Sequence, residues 1–267
     1  MIRAAVLGTP IAHSLSPLLH SRAYEILGVE GDYSRIDLAE VEFPNFFNES
    51  LKDSWTGFSL TMPLKEVAFL PEFGISLDPR ALKIHSVNTL IRAGNSYHGL
   101  STDVLAFDRL LESTTFTRVA VIGAGGTARA ALGALDGLVD RVDVLRRSES
   151  RDESLLACVS ATELKMFNME CSLREYDLVI STTPAGVTDL LADSLTEANG
   201  TLIEALYKPW PTALSEKWQA LGGNVKHGLD LLVEQALDQI QLMTGKSFDY
   251  AQMRATLLSD ALEFVKE

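Results

Sequence analysis

The stretch Val119-Ala-Val-Ile-Gly-Ala-Gly-Gly-Thr-Ala128 constrains this chain more than any other. Three β-branched residues, Val119, Val121 and Ile122, run into a glycine cluster. Behind it Ala128, Ala131, Leu132, Leu135 and Leu138 recur at helical spacing. The pattern is strand, tight turn, helix. Gly123, Gly125 and Ala128 fit the G-x-G-x-x-G/A fingerprint of dinucleotide-binding sheets. The first glycine allows the turn, the second lets a pyrophosphate approach the backbone, and the small third residue lets helix and strand pack closely. The helix N-terminus then offers unpaired N–H groups and a positive dipole end to phosphates. The bland alternative is an ordinary strand-to-helix turn with spare glycines.

A length of 267 residues suits one large or two ordinary domains, and 46% apolar with 22% charged residues is ordinary globular composition. No apolar run approaches the roughly 18–20 residues of a membrane span. The first residues, Met1-Ile-Arg-Ala-Ala-Val-Leu-Gly8, have no signal-peptide layout, and the expected location is the cytoplasm. Cys158 and Cys171, the only cysteines, make neither a disulfide framework nor a metal motif, so no metal is expected. A formal charge of −13 argues against nucleic acid and anionic membranes as partners. It also requires any anionic ligand to be held by a local cluster of donors.

From the N-terminus, residues 2–7 read as a strand ending at Gly8, and Ser16-Pro17 as a helix start with Ser16 as the capping hydroxyl. Ser14 lies two residues earlier. Two hydroxyls beside a helix N-terminus suit a carboxylate, although Ser16 has a sufficient role as a cap. His13 and His20 read as packing or loop residues. A strand is expected at 33–38, a helix at 41–51 and a strand at 57–61. The last runs into Thr61-Met-Pro-Leu-Lys65, where Pro63 marks a first helical turn. Lys65 then occupies a turn in which the helix dipole disfavours a cation, so it is either a solvated surface lysine or a functional group.

Ser86-Val-Asn-Thr-Leu-Ile-Arg92 reads as a strand carrying Asn88, with a Gly94-Asn95 turn into a return strand. Ser101 or Thr102 caps the next helix, and Asp103 sits in its first turn, where an acid is at home. After the glycine-rich turn comes strand Arg141–Leu145, followed by Arg146, Arg147, Ser148 and Arg151. Arginines here suit the 2′-phosphate of NADP, unless they merely line a solvated turn; Asp143 reads as a strand residue. The stretch 177–186, a strand leading to a polar loop, a strand at 201–207 and a helix at 211–221 complete an alternating pattern, hence a parallel sheet. The last segment, 228–266, reads as two helices broken near Gly245. In the first, Leu229, Leu232, Val233, Ala236, Ile240 and Met243 form one apolar stripe, while Leu231 and Leu242 form a second side with Gln235 between them. Such a helix is expected at a domain junction, with Gln235 needing a polar partner.

These segments together resemble the shikimate dehydrogenase family, which includes the quinate/shikimate dehydrogenases. The motifs are GTPIAHSLSPLLH at 8–20, SLTMPLK at 59–65, SVNT at 86–89, STD at 101–103, GAGGTAR at 123–129, RRSESR at 146–151 and GLDLLVEQA at 228–236. The resemblance implies a two-domain α/β protein. Residues 1–102 and 231–267 would form an α/β substrate domain with returning C-terminal helices, and residues 103–230 a doubly wound, Rossmann-type NADP domain. The implied activity is reversible NADPH-dependent reduction of 3-dehydroshikimate to shikimate on the route to chorismate, by a monomer or homodimer. By position, Ser14 and Ser16 would hold the substrate carboxylate. Thr61, Asn88, Asp103 and Gln235 would bind ring hydroxyls, with Tyr207 nearby, and Lys65 with Asp103 would be catalytic. Gly123, Ala124, Gly125, Gly126 and Thr127 would bind pyrophosphate. Arg146, Arg147, Ser148 and Arg151 would face the 2′-phosphate, and Gly228 the nicotinamide. Ser59 and Ser101 stand where the family more often has asparagine, Val104 where it has glycine, and Arg146 where it has the asparagine of an N-R-T motif. The alternatives are a dehydrogenase for quinate or an amino analogue, or a non-catalytic NADP-binding sensor.

Overall fold

The computed structural model describes residues 1–112 and 115–266. The chain opens with β1 (Ile2–Gly8), α1 (Ser16–Leu27), β2 (Gly31–Asp37), α2 (Phe43–Ser50) and β3 (Gly57–Leu60). Next come β4 (Ser76–Leu77), α3 (Pro79–Ile84), the hairpin β5 (Thr89–Ala93) and β6 (Ser96–Leu100), and α4 (Thr102–Leu111). The alternating region follows: β7 (Val119–Ile122), α5 (Gly126–Leu135), β8 (Arg141–Leu145), α6 (Asp152–Leu156), β9 (Glu163–Phe167), β10 (Leu178–Ser181), α7 (Asp189–Ser194), β11 (Thr201–Glu204), α8 (Ala213–Ala220) and β12 (Asn224–Lys226). Helices α9 (Gly228–Thr244) and α10 (Tyr250–Phe264) end the described chain.

Two compact units result, Met1–Leu105 with Leu232–Glu267, and Ala106–Leu231. The second unit was expected at 103–230. Both divisions fall inside continuous helices, α4 and α9, where no change of composition marks them.

In the first unit the sheet order is β2-β1-β3-β5-β6-β4, with β1 parallel to both neighbours and β5 antiparallel to β3 and β6. Side chains alternate along each strand. Ala5 and Leu7 of β1, Phe58 and Leu60 of β3 and Leu90 of β5 therefore enter one core, with Phe43, Phe47, Phe73 and Tyr97. Ala4 and Val6 enter another with Ile11, Tyr24, Tyr33 and Met243. On this second face Ser59 and Thr89 are direct cross-strand partners. Two polar side chains in a sheet interior need partners of their own, and α9 supplies them.

The second unit holds six parallel strands in the order β12-β11-β10-β7-β8-β9. Counted from β7, that is the 3-2-1-4-5-6 order of Rossmann-type sheets, with the reversal between β7 and β10. Ligands of such sheets bind outside the strand C-termini at that reversal, where the glycine-rich turn lies. Its core gathers Ile122, Leu145, Val179, Leu202, Leu214 and Trp218.

Several local expectations change. Leu15, not Ser16, occupies the cap position of α1, with no side-chain cap. The helix expected at 41–51 is a 3-10 turn followed by α2, because Pro44 lacks the N–H needed to continue a regular helix from Glu40. Helix α5 ends at Leu135, and Leu138 is 62% exposed rather than part of the stripe. Leu242 is also exposed, so the second apolar side of α9 is shorter than expected. Edge strand β9 alternates Glu163 and Lys165 with apolar residues and carried no signal strong enough to mark it.

Candidate active site

Asn88 is the hub of a polar cluster in the first unit. Its backbone N–H donates to the Leu100 carbonyl at 3.2 Å, and its own carbonyl accepts from the Leu60 N–H at 2.8 Å, so β3 and β6 both hold it. A backbone donor fixes its amide. The Thr102 N–H at the start of α4 donates to Asn88 Oδ1 at 2.7 Å, and the Thr89 hydroxyl donates to the same oxygen at 3.0 Å. The first N–H of α4 thus goes to the Asn88 side chain. Nδ2 then faces the other way and donates to Asp103 Oδ1 at 2.8 Å and to Thr102 Oγ1 at 2.9 Å. The second Asp103 oxygen accepts from Lys65 Nζ at 2.6 Å, with the two side chains 18% and 9% exposed. That shielding makes the pair stronger than a surface ion pair. Lys65 sits in a 3-10 turn, Leu64–Phe69, that also carries Glu66, and Asp103 from α4 is its ion-pair partner at 2.6 Å.

Helix α9 closes the cluster. The Gln235 carbonyl oxygen lies 3.5 Å from Asn88 Nδ2, a weak contact, while its Nε2 donates to Leu232 O at 2.7 Å. One turn on, Gln239 is fully buried; its Nε2 donates to Thr89 Oγ1 at 2.9 Å and its Oε1 accepts from the Ser59 hydroxyl at 2.7 Å. Ser59 in turn accepts from the Tyr33 hydroxyl at 2.6 Å. Burial pushes the Tyr33 phenol far above its usual range, so it remains a donor. Side chains therefore link Tyr33 to Lys65 without interruption, through Ser59, Gln239, Thr89, Asn88 and Asp103.

Ser14 and Ser16 are both buried. The Ser16 N–H donates to Ser14 Oγ and the Ser14 hydroxyl to Ser16 Oγ, each at 3.3 Å, so Ser14 rather than Ser16 takes the helix-end N–H. Bonds this long leave the hydroxyls ready to exchange partners. Arg35 Nε donates to the Ser14 carbonyl at 2.8 Å, which pins the loop and brings a cation to it. Thr61 is held nearby, since a Cβ on Gly8 would lie 2.5 Å from Thr61 Cγ2 and the Thr9 N–H donates to Met62 O at 3.0 Å. His20 stacks on Tyr33 with centroids 3.8 Å apart, and its Nδ1 bonds the Ser16 carbonyl at 2.9 Å. A carbonyl only accepts, so Nδ1 carries the proton and the buried Nε2 is bare. Burial pushes the His20 pKa down to about 4, partly offset by the Ser16 bond.

In the second unit Gly123 has φ 119°, and a Cβ there would lie 2.3 Å from Thr182 Oγ1. Ala124 follows it, and Gly125 precedes α5 without any side-chain cap; a Cβ on Gly125 would meet nothing within 4 Å. The start of α5 thus has no side-chain cap and open space at Gly125, which fits a pyrophosphate at the helix N-terminus. Beyond β8 the arginines differ. Arg146 Nε and Nη2 donate to the two Asp152 oxygens at 2.7 and 2.8 Å. Arg147 is exposed and makes no ion pair or hydrogen bond among the described residues. Ser148 caps the 3-10 turn Glu149–Arg151, its Oγ accepting from the Ser150 N–H at 3.2 Å, and Arg151 is exposed. Tyr207 is half-buried after β11 and belongs to the second unit, whereas the other expected substrate contacts belong to the first. Buried Glu204 accepts from the Leu206 N–H at 3.4 Å and the Thr212 hydroxyl at 3.0 Å, holding both ends of the segment that carries Tyr207. A Cβ on Gly228 would lie 2.6 Å from the Leu206 carbonyl, so only glycine packs there.

The family model for the shikimate dehydrogenase substrate binding domain matches residues 6–90, and that for the shikimate 5′-dehydrogenase C-terminal domain matches 228–258. The shikimate dehydrogenase (NADP(+)) of Exiguobacterium sibiricum is 32% identical over 251 residues, covering 92% of this chain and 94% of its own. This chain belongs to the shikimate dehydrogenase family. The Mycobacterium tuberculosis shikimate dehydrogenase structure aligns with a TM-score of 0.87 at 31% identity, over 97% of this chain and 99% of that one. The Thermus thermophilus shikimate 5-dehydrogenase, crystallised with NADP(H) and shikimate, aligns with a TM-score of 0.83 at 31% identity, over 97% of this chain and all (100%) of that one.

Within the shikimate dehydrogenase frame, the four departures from the commoner pattern have different structural meanings. Ser59 already donates to Gln239 and accepts from Tyr33, so its hydroxyl is committed inside the protein. The Ser101 hydroxyl is buried without a partner among the described residues. Val104 is fully buried in α4, and Arg146 is tied to Asp152. Sequence reading missed Tyr33, Arg35, Thr89 and Gln239. Only Gln239 carried a usable signal, its position four residues after Gln235 on the same helix face.

Proposed function

We propose that this protein is an NADP-dependent shikimate dehydrogenase that reversibly reduces 3-dehydroshikimate to shikimate. The observation that carries the reading is the Lys65–Asp103–Asn88 arrangement, an ammonium 2.6 Å from a carboxylate that an oriented amide also holds. When bound, the cofactor supplies or accepts the hydride. A carbonyl that gains a hydride also needs a proton, and Lys65 has one to give; in the reverse direction it takes the proton from the ring hydroxyl. Asp103 orients Lys65 and accepts a hydrogen bond from a ring hydroxyl. Ser14 and Ser16 hold the carboxylate, with Arg35 countering the negative net charge. Thr61, Asn88, Gln235 and Tyr207 complete the ring contacts. Gly123 to Thr127 hold the pyrophosphate, and Gly228 gives the nicotinamide a wall without a side chain. Arg147, Ser148 and Arg151 read the 2′-phosphate. On this reading the enzyme works in the cytoplasm, as a monomer or homodimer.

The test follows the absorbance of reduced nicotinamide with NADP and shikimate, quinate or an amino analogue as substrate. The expected result is rapid reduction with shikimate and a much lower kcat/KM for the others. Preference for quinate would replace the substrate assignment, and NADP binding without reduction by any of these acids would make the protein a sensor.

A further inference from the structure

We propose that Asp152 sets the cofactor selectivity of this protein by withholding the Arg146 guanidinium from a 2′-phosphate. The proposal rests on the NADP reading above and on geometry within the second unit. Arg146 follows β8 directly, at the place where an arginine in such a sheet accommodates the 2′-phosphate. Three of its five N–H donors are engaged, including the pair that forms its fork. Nε and Nη2 form a parallel fork with both Asp152 oxygens at 2.7 and 2.8 Å, and Nη1 points at the Phe167 carbonyl at 3.5 Å. Such bidentate pairs are the strongest and most directional that an arginine makes with a carboxylate. Glu149 lies 3.7 Å from Nη2, adding a second negative charge. The Arg146 backbone is fixed as well, its N–H donating to Phe167 O at 3.0 Å. The Arg146 side chain is only 13% exposed, whereas Arg147 beside it is exposed and unpaired among the described residues.

Two adjacent arginines therefore do different work. Arg146 braces the start of α6 against β9 through Asp152, and Arg147 with the Ser148 hydroxyl reads the phosphate. The Asp152 carboxylate also adds a negative charge close to where a dianion would sit. Its pairing with Arg146 holds its pKa below the usual carboxylate range, so the charge persists at neutral pH. Discrimination between a 2′-phosphate and a 2′-hydroxyl is thus lower than three arginines in six residues suggest, and Asp152 is the side chain that lowers it.

The experiment measures dissociation constants for NADP and NAD by calorimetry on the full chain, for wild type, Asp152→Ala, Arg146→Ala and Arg147→Ala, with thermal melting to verify folding. Freeing one charge-assisted bond to phosphate is worth at least about tenfold. Asp152→Ala is expected to tighten NADP by about that factor and leave NAD within about twofold. Arg146→Ala is expected to change NADP affinity far less than Arg147→Ala. If Asp152→Ala left NADP affinity unchanged or weakened it, or if Arg146→Ala cost as much as Arg147→Ala, the proposal would be overturned while the NADP reading stood. A wild type that binds both cofactors equally, with NADP preference appearing only in Asp152→Ala, would support the proposal and overturn the NADP reading.

Discussion

The first unit brings its candidate site residues together as a closed set of side chains. Lys65, Asn88, Asp103, Gln235 and Gln239 come from four separate segments, and each meets at least one other. The second unit does the opposite. Its glycine-rich turn offers backbone N–H groups beside open space, and Arg147 and Arg151, proposed to read the phosphate, are exposed. The physical reason lies in the ligands proposed for each. A pyrophosphate is recognised by a run of consecutive N–H groups, which one turn supplies. A ring with several hydroxyls needs donors and acceptors at fixed, separate points, and these must come from different elements and be held by one another. Damage should therefore spread in the first unit and stay local in the second.

The largest departure from locality is expected at Asp103. Asp103→Asn removes the Lys65 counter-charge and leaves one acceptor oxygen where Lys65 and Asn88 now use two. Substrate affinity and turnover should fall together, with kcat/KM reduced on the order of 10²-fold or more. Kinetics in both directions check this, and a change in KM alone would mean that Asp103 does not position Lys65. Arg147→Ala should by contrast weaken NADP about tenfold to 150-fold and leave NAD nearly unchanged. Equal loss for both cofactors would show that Arg147 does not read the phosphate.

The same contrast explains what was legible in the sequence. The glycine-rich turn and the arginines after β8 lie within one short segment, so spacing alone locates them. The first unit's network spans positions 33 to 239, and a pattern of period two or 3.6 carries no information about which strand meets which helix. Lys65 stood out as a local misfit, and the remedy, Asp103, lay 38 residues away. Tyr33 and Thr89 read as ordinary strand residues because each is polar at only one end of a contact that another segment completes. Arg146 was legible as an arginine in the right place but not as an arginine already taken, since that depends on Asp152 being turned toward it by α6.

His20 provides a stability test of the buried network. Its folded pKa near 4 lies below the unfolded value of 6.5, so the unfolded chain binds the proton more readily between those values. The contribution of neutral His20 is fully present above about pH 6.5 and is lost as pH falls toward 4, up to roughly 3 kcal/mol in all. Denaturant melts of wild type and His20→Phe across this range should diverge, with the variant showing the shallower pH dependence. Parallel curves would mean that the imidazole is not buried in its neutral form.

The smallest effect is expected at Ser14. Ser14→Ala should raise the KM for shikimate by an amount worth roughly 0.5–3 kcal/mol without changing cofactor affinity. Its hydroxyl bonds are long and its loop is held independently by Arg35, so the rest of the network should survive. An unchanged KM in a folded variant would remove Ser14 from the carboxylate site.

Lys65→Met tests the central claim most directly, because it keeps the length of the side chain and removes the ammonium. Turnover should be measured in both directions alongside calorimetric binding of shikimate and NADP. The account predicts a loss of about 10²–10⁴-fold in kcat, with both ligands still bound. Near-normal turnover in both directions would contradict it, and the proton would have to come from a group other than Lys65.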